Sequence, residues 1–142
     1  MGKQLAQPEV RAAIASPLGE AEALAERAFL LEDTMHILIC DDDAVFAARV
    51  ETLVRDFFAR RGLQVECTVC HSGEETLARR DLDLYQVALL DVDLDTMNGI
   101  SLGKQLRQCS PEICLVYVSA YLEFAPEGYT VNAFRYILKR DL

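Results

Sequence analysis

Asp41 and Asp42 close one apolar run (His36-Ile-Leu-Ile-Cys-Asp-Asp), Asp91 closes a second (Gln86-Val-Ala-Leu-Leu-Asp), and Lys139 closes a third (Phe134-Arg-Tyr-Ile-Leu-Lys). Runs of this kind read as parallel strands, and open α/β sheets bind their ligands at the edge where such strands end. Carboxylates gathered at one point repel each other unless a cation joins them. The residue types therefore predict a divalent-metal site beside a reactive aspartate, with a lysine ammonium facing it.

Those strand ends need a scaffold that delivers them to one edge. From Met35 onward, strands predicted over 36–40, 64–70, 86–90, 113–118 and 135–138 alternate with helices over about 44–61, 73–80, 100–108 and 122–131. In the first helix Val45, Ala48, Val50, Leu53, Val54, Phe57 and Phe58 recur at three- and four-residue spacing, and Gly62 stops it. Each parallel neighbour requires a right-handed crossover, so the pattern predicts a doubly wound five-stranded parallel sheet. A fifth helix is expected after the last strand, and its absence from 35–142 would leave one flank of the sheet apolar and uncovered. Residues 1–34 are Ala- and Glu-rich. Ser16-Pro17 followed by a stripe of Ala21, Leu24, Ala25, Ala28 and Leu31 reads as a helix over 18–31 that packs on that flank or on another protomer. The alternative reading makes Met35 the natural start and 1–34 a leader or upstream translated stretch.

Composition narrows the function classes. With 142 residues and 51% hydrophobic content, one core and one domain are expected. A net charge of −9 without a basic cluster excludes a nucleic-acid surface on this chain. The longest strongly apolar run, about six residues, is far short of the ~20 that a membrane helix requires. No basic-then-apolar secretory pattern opens the chain, and five cysteines, mostly inside predicted strands, suit a reducing compartment. A cytoplasmic protein is expected.

Four blocks resemble the response-regulator receiver domain, the phosphoacceptor module of two-component signalling: Ile37-Leu-Ile-Cys-Asp-Asp-Asp, Leu89-Leu-Asp-Val-Asp-Leu-Asp-Thr-Met-Asn-Gly-Ile, Val118-Ser-Ala, and Ala133-Phe-Arg-Tyr-Ile-Leu-Lys. The resemblance spans 35–139 and implies a flavodoxin-like sheet of order 2-1-3-4-5. It implies that Asp91 is the phosphoacceptor, served by a sensor histidine kinase. Mg²⁺ would be held by Asp42, Asp91 and the backbone carbonyl of Asp93, with Asp41 assisting through water. Lys139 and Ser119 would contact the phosphoryl oxygens, and Ser119 with Tyr136 would switch the surface formed by helix four and strand five. That face is a possible homodimer contact. Ser119-Ala-Tyr-Leu-Glu-Phe-Ala and Val131-Asn-Ala-Phe-Arg-Tyr-Ile-Leu-Lys resemble receivers of LytTR-type transcriptional regulators, which implies a DNA-binding output domain not on this chain.

Two departures from the family pattern stand out. Arg140 occupies the place of a usual proline after the lysine, so a trans peptide is expected there. Leu94-Asp95 replaces a usual Met-Pro pair, which leaves the loop less constrained and more acidic. Two other motifs mislead. Cys67-Thr-Val-Cys-His71 spells a haem-attachment pattern, but residues three apart on a strand point to opposite faces. Asp91-x-Asp93-x-Asp95 imitates a calcium loop, yet Thr96 and Leu102 stand where glycine and glutamate are needed.

Two competing readings remain beside the receiver. A haloacid-dehalogenase-like phosphatase shares the strand-end aspartate and Mg²⁺, but it needs threonine or valine where Asp95 stands, and a cap domain. A phosphate-independent interaction module would leave the acidic set without a role. The receiver is expected to act only on itself, accepting and losing phosphate, and to turn over no external substrate.

Overall fold

The computed structural model describes residues 34–142. Strands β1 (Thr34–Cys40), β2 (Gln64–Cys70), β3 (Val87–Leu90), β4 (Cys114–Ser119) and β5 (Arg135–Leu138) form one sheet of order β2-β1-β3-β4-β5. All four pairings are parallel. Helices α1 (Ala44–Ala59), α2 (Gly73–Leu77), α3 (Gly99–Cys109) and α4 (Ala125–Thr130) connect them. The expected fold class and strand order are those observed. The predicted helix 18–31 lies outside the described residues.

Side chains alternate across each strand, so the sheet buries two separate apolar layers. On the α1 side, Ile37, Ile39, Val87, Val116 and Val118 pack against Ala47, Val50 and Phe58. On the other side, Leu38, Ala88, Leu90, Leu115 and Tyr117 pack against Ile100, Leu102 and Leu106 of α3. Cys67 belongs to the first layer and Cys70 to the second, which removes the haem-attachment geometry. Each fully buried aliphatic side chain contributes roughly 1.5–3 kcal/mol.

The starts of α1, α2 and α3 follow side-chain caps. Asp43 accepts from the Phe46 amide at 3.1 Å, Ser72 from the Glu75 amide at 3.0 Å, and Asn98 from the Ile100 amide at 2.7 Å. Gly62, at φ 65°, ends the turn after α1. The α1 stripe differs from expectation at its start. Val45 is 83% exposed and Ala48 is exposed, while Phe46 and Ala47 turn inward. The Asp43 cap sets the phase of the first turn, and spacing alone does not. The helix expected over 122–131 is a 3-10 turn (Leu122–Phe124) followed by α4, with Pro126 in its first turn. On the α1 flank, an apolar groove of about 340 Å³ is lined by Leu53, Val54, Phe57, Leu89 and Ile137 among others.

Candidate functional site

The hydrogen-bond ladder runs one residue beyond the strands and pins two aspartates side by side. Asp41 N–H donates to Cys70 O at 3.1 Å, and Asp91 N–H donates to Cys40 O at 2.9 Å. Asp41 and Asp91 are buried, at 4% and 5% exposure, and Asp42 beside them is exposed. Carboxylate oxygens of Asp41, Asp42 and Asp91 all lie within 4.8 Å of one another. Lys139 Nζ reaches this group from the end of β5, 2.8 Å from Asp41 Oδ2 and 3.2 Å from Asp91 Oδ2. Backbone amides add fixed donors: Asp43 N–H to Asp41 Oδ1 at 2.9 Å and Asp93 N–H to Asp91 Oδ1 at 3.3 Å.

Charge is unbalanced here. Burial, reinforced by the Asp41 carboxylate, raises the Asp91 carboxyl from its ordinary 3.8 to about 6, against the pull of Lys139. Asp42 is also raised, by desolvation and then by Asp41. Burial works against the Lys139 ammonium, but hydrogen bonding to Asp41 and the Asp91 charge outweigh it and hold the group above its ordinary value. One ammonium among three carboxylates leaves a surplus of negative charge, presented by hard oxygen donors. That donor set fits Mg²⁺, which binds through one or two carboxylates and keeps several waters.

Gly99 is what lets α3 start so close to Asp91. A Cβ on this residue would lie 1.9 Å from the Asp91 carbonyl oxygen, and the Gly99 amide donates to Val92 O at 2.7 Å. The carbonyl of Gly99 in turn accepts from the buried Tyr117 hydroxyl at 3.1 Å. Ser119, wholly buried at the end of β4, accepts from the Tyr121 amide at 3.1 Å. The Tyr136 hydroxyl donates to the Tyr121 carbonyl, and its ring lies 6.2 Å from that of Tyr117. Burial raises Tyr136, and the Ser119 hydroxyl partly offsets that.

Thus Asp41, Asp42, Asp91 and Lys139 form one cluster, while Ser119 and Tyr136 meet in an adjoining network around Tyr121. Asp93 places its amide on Asp91 and pairs with Asn98 in an isolated bridge, with its own side chain exposed. The described residues contain no cis peptide, so Lys139 reaches the carboxylates from a trans Lys139–Arg140 bond.

The sequence profile of the response regulator receiver domain matches residues 37–141. The chain belongs to this family. The receiver is 31% identical over 106 residues to the sensory transduction protein LytR of Streptococcus mutans, covering 74% of this chain and 42% of the relative. It is 28% identical over 105 residues to the transcriptional regulatory protein LytR of Staphylococcus aureus, covering 74% and 41%. The same figures hold for the positive alginate biosynthesis regulatory protein of Pseudomonas aeruginosa. The receiver therefore spans about two fifths of these curated relatives, which include the LytR-type regulators. Among solved structures it resembles a CheY-like receiver domain protein of Methanospirillum hungatei, with a TM-score of 0.63 and 26% identity, covering 77% of this chain and 87% of that one. It also shares the fold of the BeF3-activated DrrB receiver domain, with a TM-score of 0.64 at 20% identity over 75% of this chain and 86% of that one.

Some residues at the site carry no obvious sequence signal. His71 Nδ1 lies 3.1 Å from the Asp41 carbonyl, and the Phe46 ring lies 4.5 Å from Lys139 Nζ. His71 looked like the end of the misleading haem motif, and Phe46 fell outside the apparent α1 stripe. Gly99 had a visible cue, since it directly follows a capping asparagine and precedes an apolar helix. No described helix is long and apolar enough to cross a membrane.

Proposed function

We propose that this receiver takes a phosphoryl group from the phosphohistidine of a sensor kinase onto Asp91. An Asp91 carboxylate oxygen bonds to phosphorus as the phosphorus–nitrogen bond breaks, and the kinase imidazole leaves with the electron pair. The observation that carries this reading is the buried Asp91 carboxylate with Lys139 Nζ at 3.2 Å and two further aspartates in reach. A carboxylate is a weak nucleophile, so the residues here act by positioning and charge compensation. The Asp41 and Asp91 carboxylates orient the ammonium, which balances charge on the phosphoryl oxygens. Asp42 and Asp91, with the Asp93 carbonyl and Asp41, would hold Mg²⁺, which supplies charge neutralisation when bound.

The acyl phosphate brings roughly −1.5 to −2 charge and strong acceptors close to β4. Ser119 leaves the Tyr121 amide to donate to a phosphoryl oxygen. Tyr136 loses its partner geometry at Tyr121, and the α4–β5 face changes shape. We assign that face as the output surface and as the contact for a homodimer. The similarity to LytR-type regulators supports a DNA-binding output domain elsewhere in the whole protein. The receiver turns over no external substrate, and it works in the cytoplasm, a compartment that suits its free cysteines.

Incubation with acetyl phosphate and Mg²⁺, followed by intact mass and peptide mapping, tests the reading. One phosphoryl group on Asp91, absent in Asp91→Asn, is expected. Hydrolysis of added phosphate esters would instead indicate a phosphatase, and no modification would leave a phosphate-independent module.

A further inference from the structure

We propose that Phe46 is the positioning residue for Lys139, its ring face holding the ammonium over the Asp41 and Asp91 carboxylates. The role in transfer rests on the phosphoacceptor reading; the placement of the ammonium does not. Lys139 follows β5, a four-residue strand at the sheet edge, whereas Asp91 follows β3, with β4 between them. A flexible four-carbon stem therefore has to carry the charge across the end of β4. Besides the two carboxylates, the Phe46 ring lies against the ammonium, 4.5 Å from Nζ to the ring centroid.

The carboxylates make a changing partner. Once Asp91 carries a phosphoryl group, its charge moves outward onto new oxygens, and Asp41 alone keeps its original pull. An aromatic face attracts a cation through its quadrupole and is unchanged by the reaction. Phe46 is itself well fixed. Its amide donates to the capping Asp43 carboxylate, and its half-buried side chain packs against the core layer that contains Val50 and Val118. Phe46, Val50, Val118, Asp41 and Asp91 line a small cleft of about 10 Å³. That is at the lower limit for a single water, so little solvent fits between the ring and the two carboxylates. Packing alone would make any apolar side chain of similar size sufficient; an ammonium clamp requires an aromatic one.

The experiment compares the full chain with Phe46→Leu, Phe46→Met and Phe46→Tyr. Proton NMR reads the Lys139 ε-methylene shift, and intact mass reads the initial rate of modification by acetyl phosphate with Mg²⁺. The wild type and Phe46→Tyr should show a ring-current upfield shift of the Lys139 ε-protons, lost in both aliphatic variants. The aliphatic variants should also be modified about threefold to tenfold more slowly, with Phe46→Tyr near wild type, as expected for a partly desolvated cation–π contact. Equal rates and shifts in all four proteins overturn the proposal, as does equal impairment of the tyrosine and aliphatic variants. If the wild type shows the shift but takes no phosphoryl group, the functional reading fails and the ammonium clamp stands.

Discussion

Replacing Asp91 by Asn should stabilise the metal-free protein at neutral pH, although it removes a hydrogen-bonded and ion-paired side chain. The Asp91 carboxyl is raised from 3.8 to about 6 because it is buried and faces Asp41, so its ionised form is less favourable folded than unfolded. A shift of about 2 units corresponds to roughly 3 kcal/mol. Between about pH 4 and pH 6 the folded state binds more protons than the unfolded one. This contribution to stability is therefore present at acid pH and is lost as pH rises through about 6. Asn keeps the volume and can still accept from Lys139 Nζ, so about 1–3 kcal/mol of stabilisation at pH 7 is expected after the weaker attraction to the ammonium is deducted. Urea denaturation of both proteins in chelator at pH 5 and pH 7 measures it. The wild type should lose stability between these values and the variant should change much less. Saturating Mg²⁺ should reverse the wild-type trend, because protons then compete with the cation for the same carboxylates. A variant no more stable than wild type at pH 7, with parallel pH profiles, would refute the picture of a repulsive acidic cluster.

Gly99→Ala should destabilise by about 3 kcal/mol in urea, because its Cβ would meet the Asp91 carbonyl at 1.9 Å and backbone cannot easily yield. Tyr117→Phe should cost about 1 kcal/mol by thermal denaturation, since it deletes the buried hydroxyl that donates to Gly99 O at 3.1 Å. Asp93→Ala should lengthen the lifetime of the phosphorylated state if the exposed Asp93 side chain, two residues past Asp91, positions a water there; an unchanged half-life by mass spectrometry would remove that role.

Much of the site was legible because its residues sit at strand ends, where a short apolar run followed by an acid or lysine is visible in one dimension. Asp41, Asp42, Asp91 and Lys139 all fall there, and the alternating elements between them already imply one shared edge. Phe46 was not legible, because its direction depends on where the Asp43 cap starts the helix, and spacing alone favoured Val45. The roles of Gly99 and Tyr117 also escaped, since their contacts join residues 8 and 18 positions away: Gly99 to the Asp91 carbonyl and Tyr117 to Gly99.

The chain of 142 residues by itself determined the sheet and which acids stand at its ends, because side-chain period and strand-end position are local properties. Only the tertiary structure decided how those groups share charge. The lysine that follows β5 meets both aspartates across β4, and burial holds Asp91 at about 6. Distance and desolvation control such energies, and neither is set by separation along the chain.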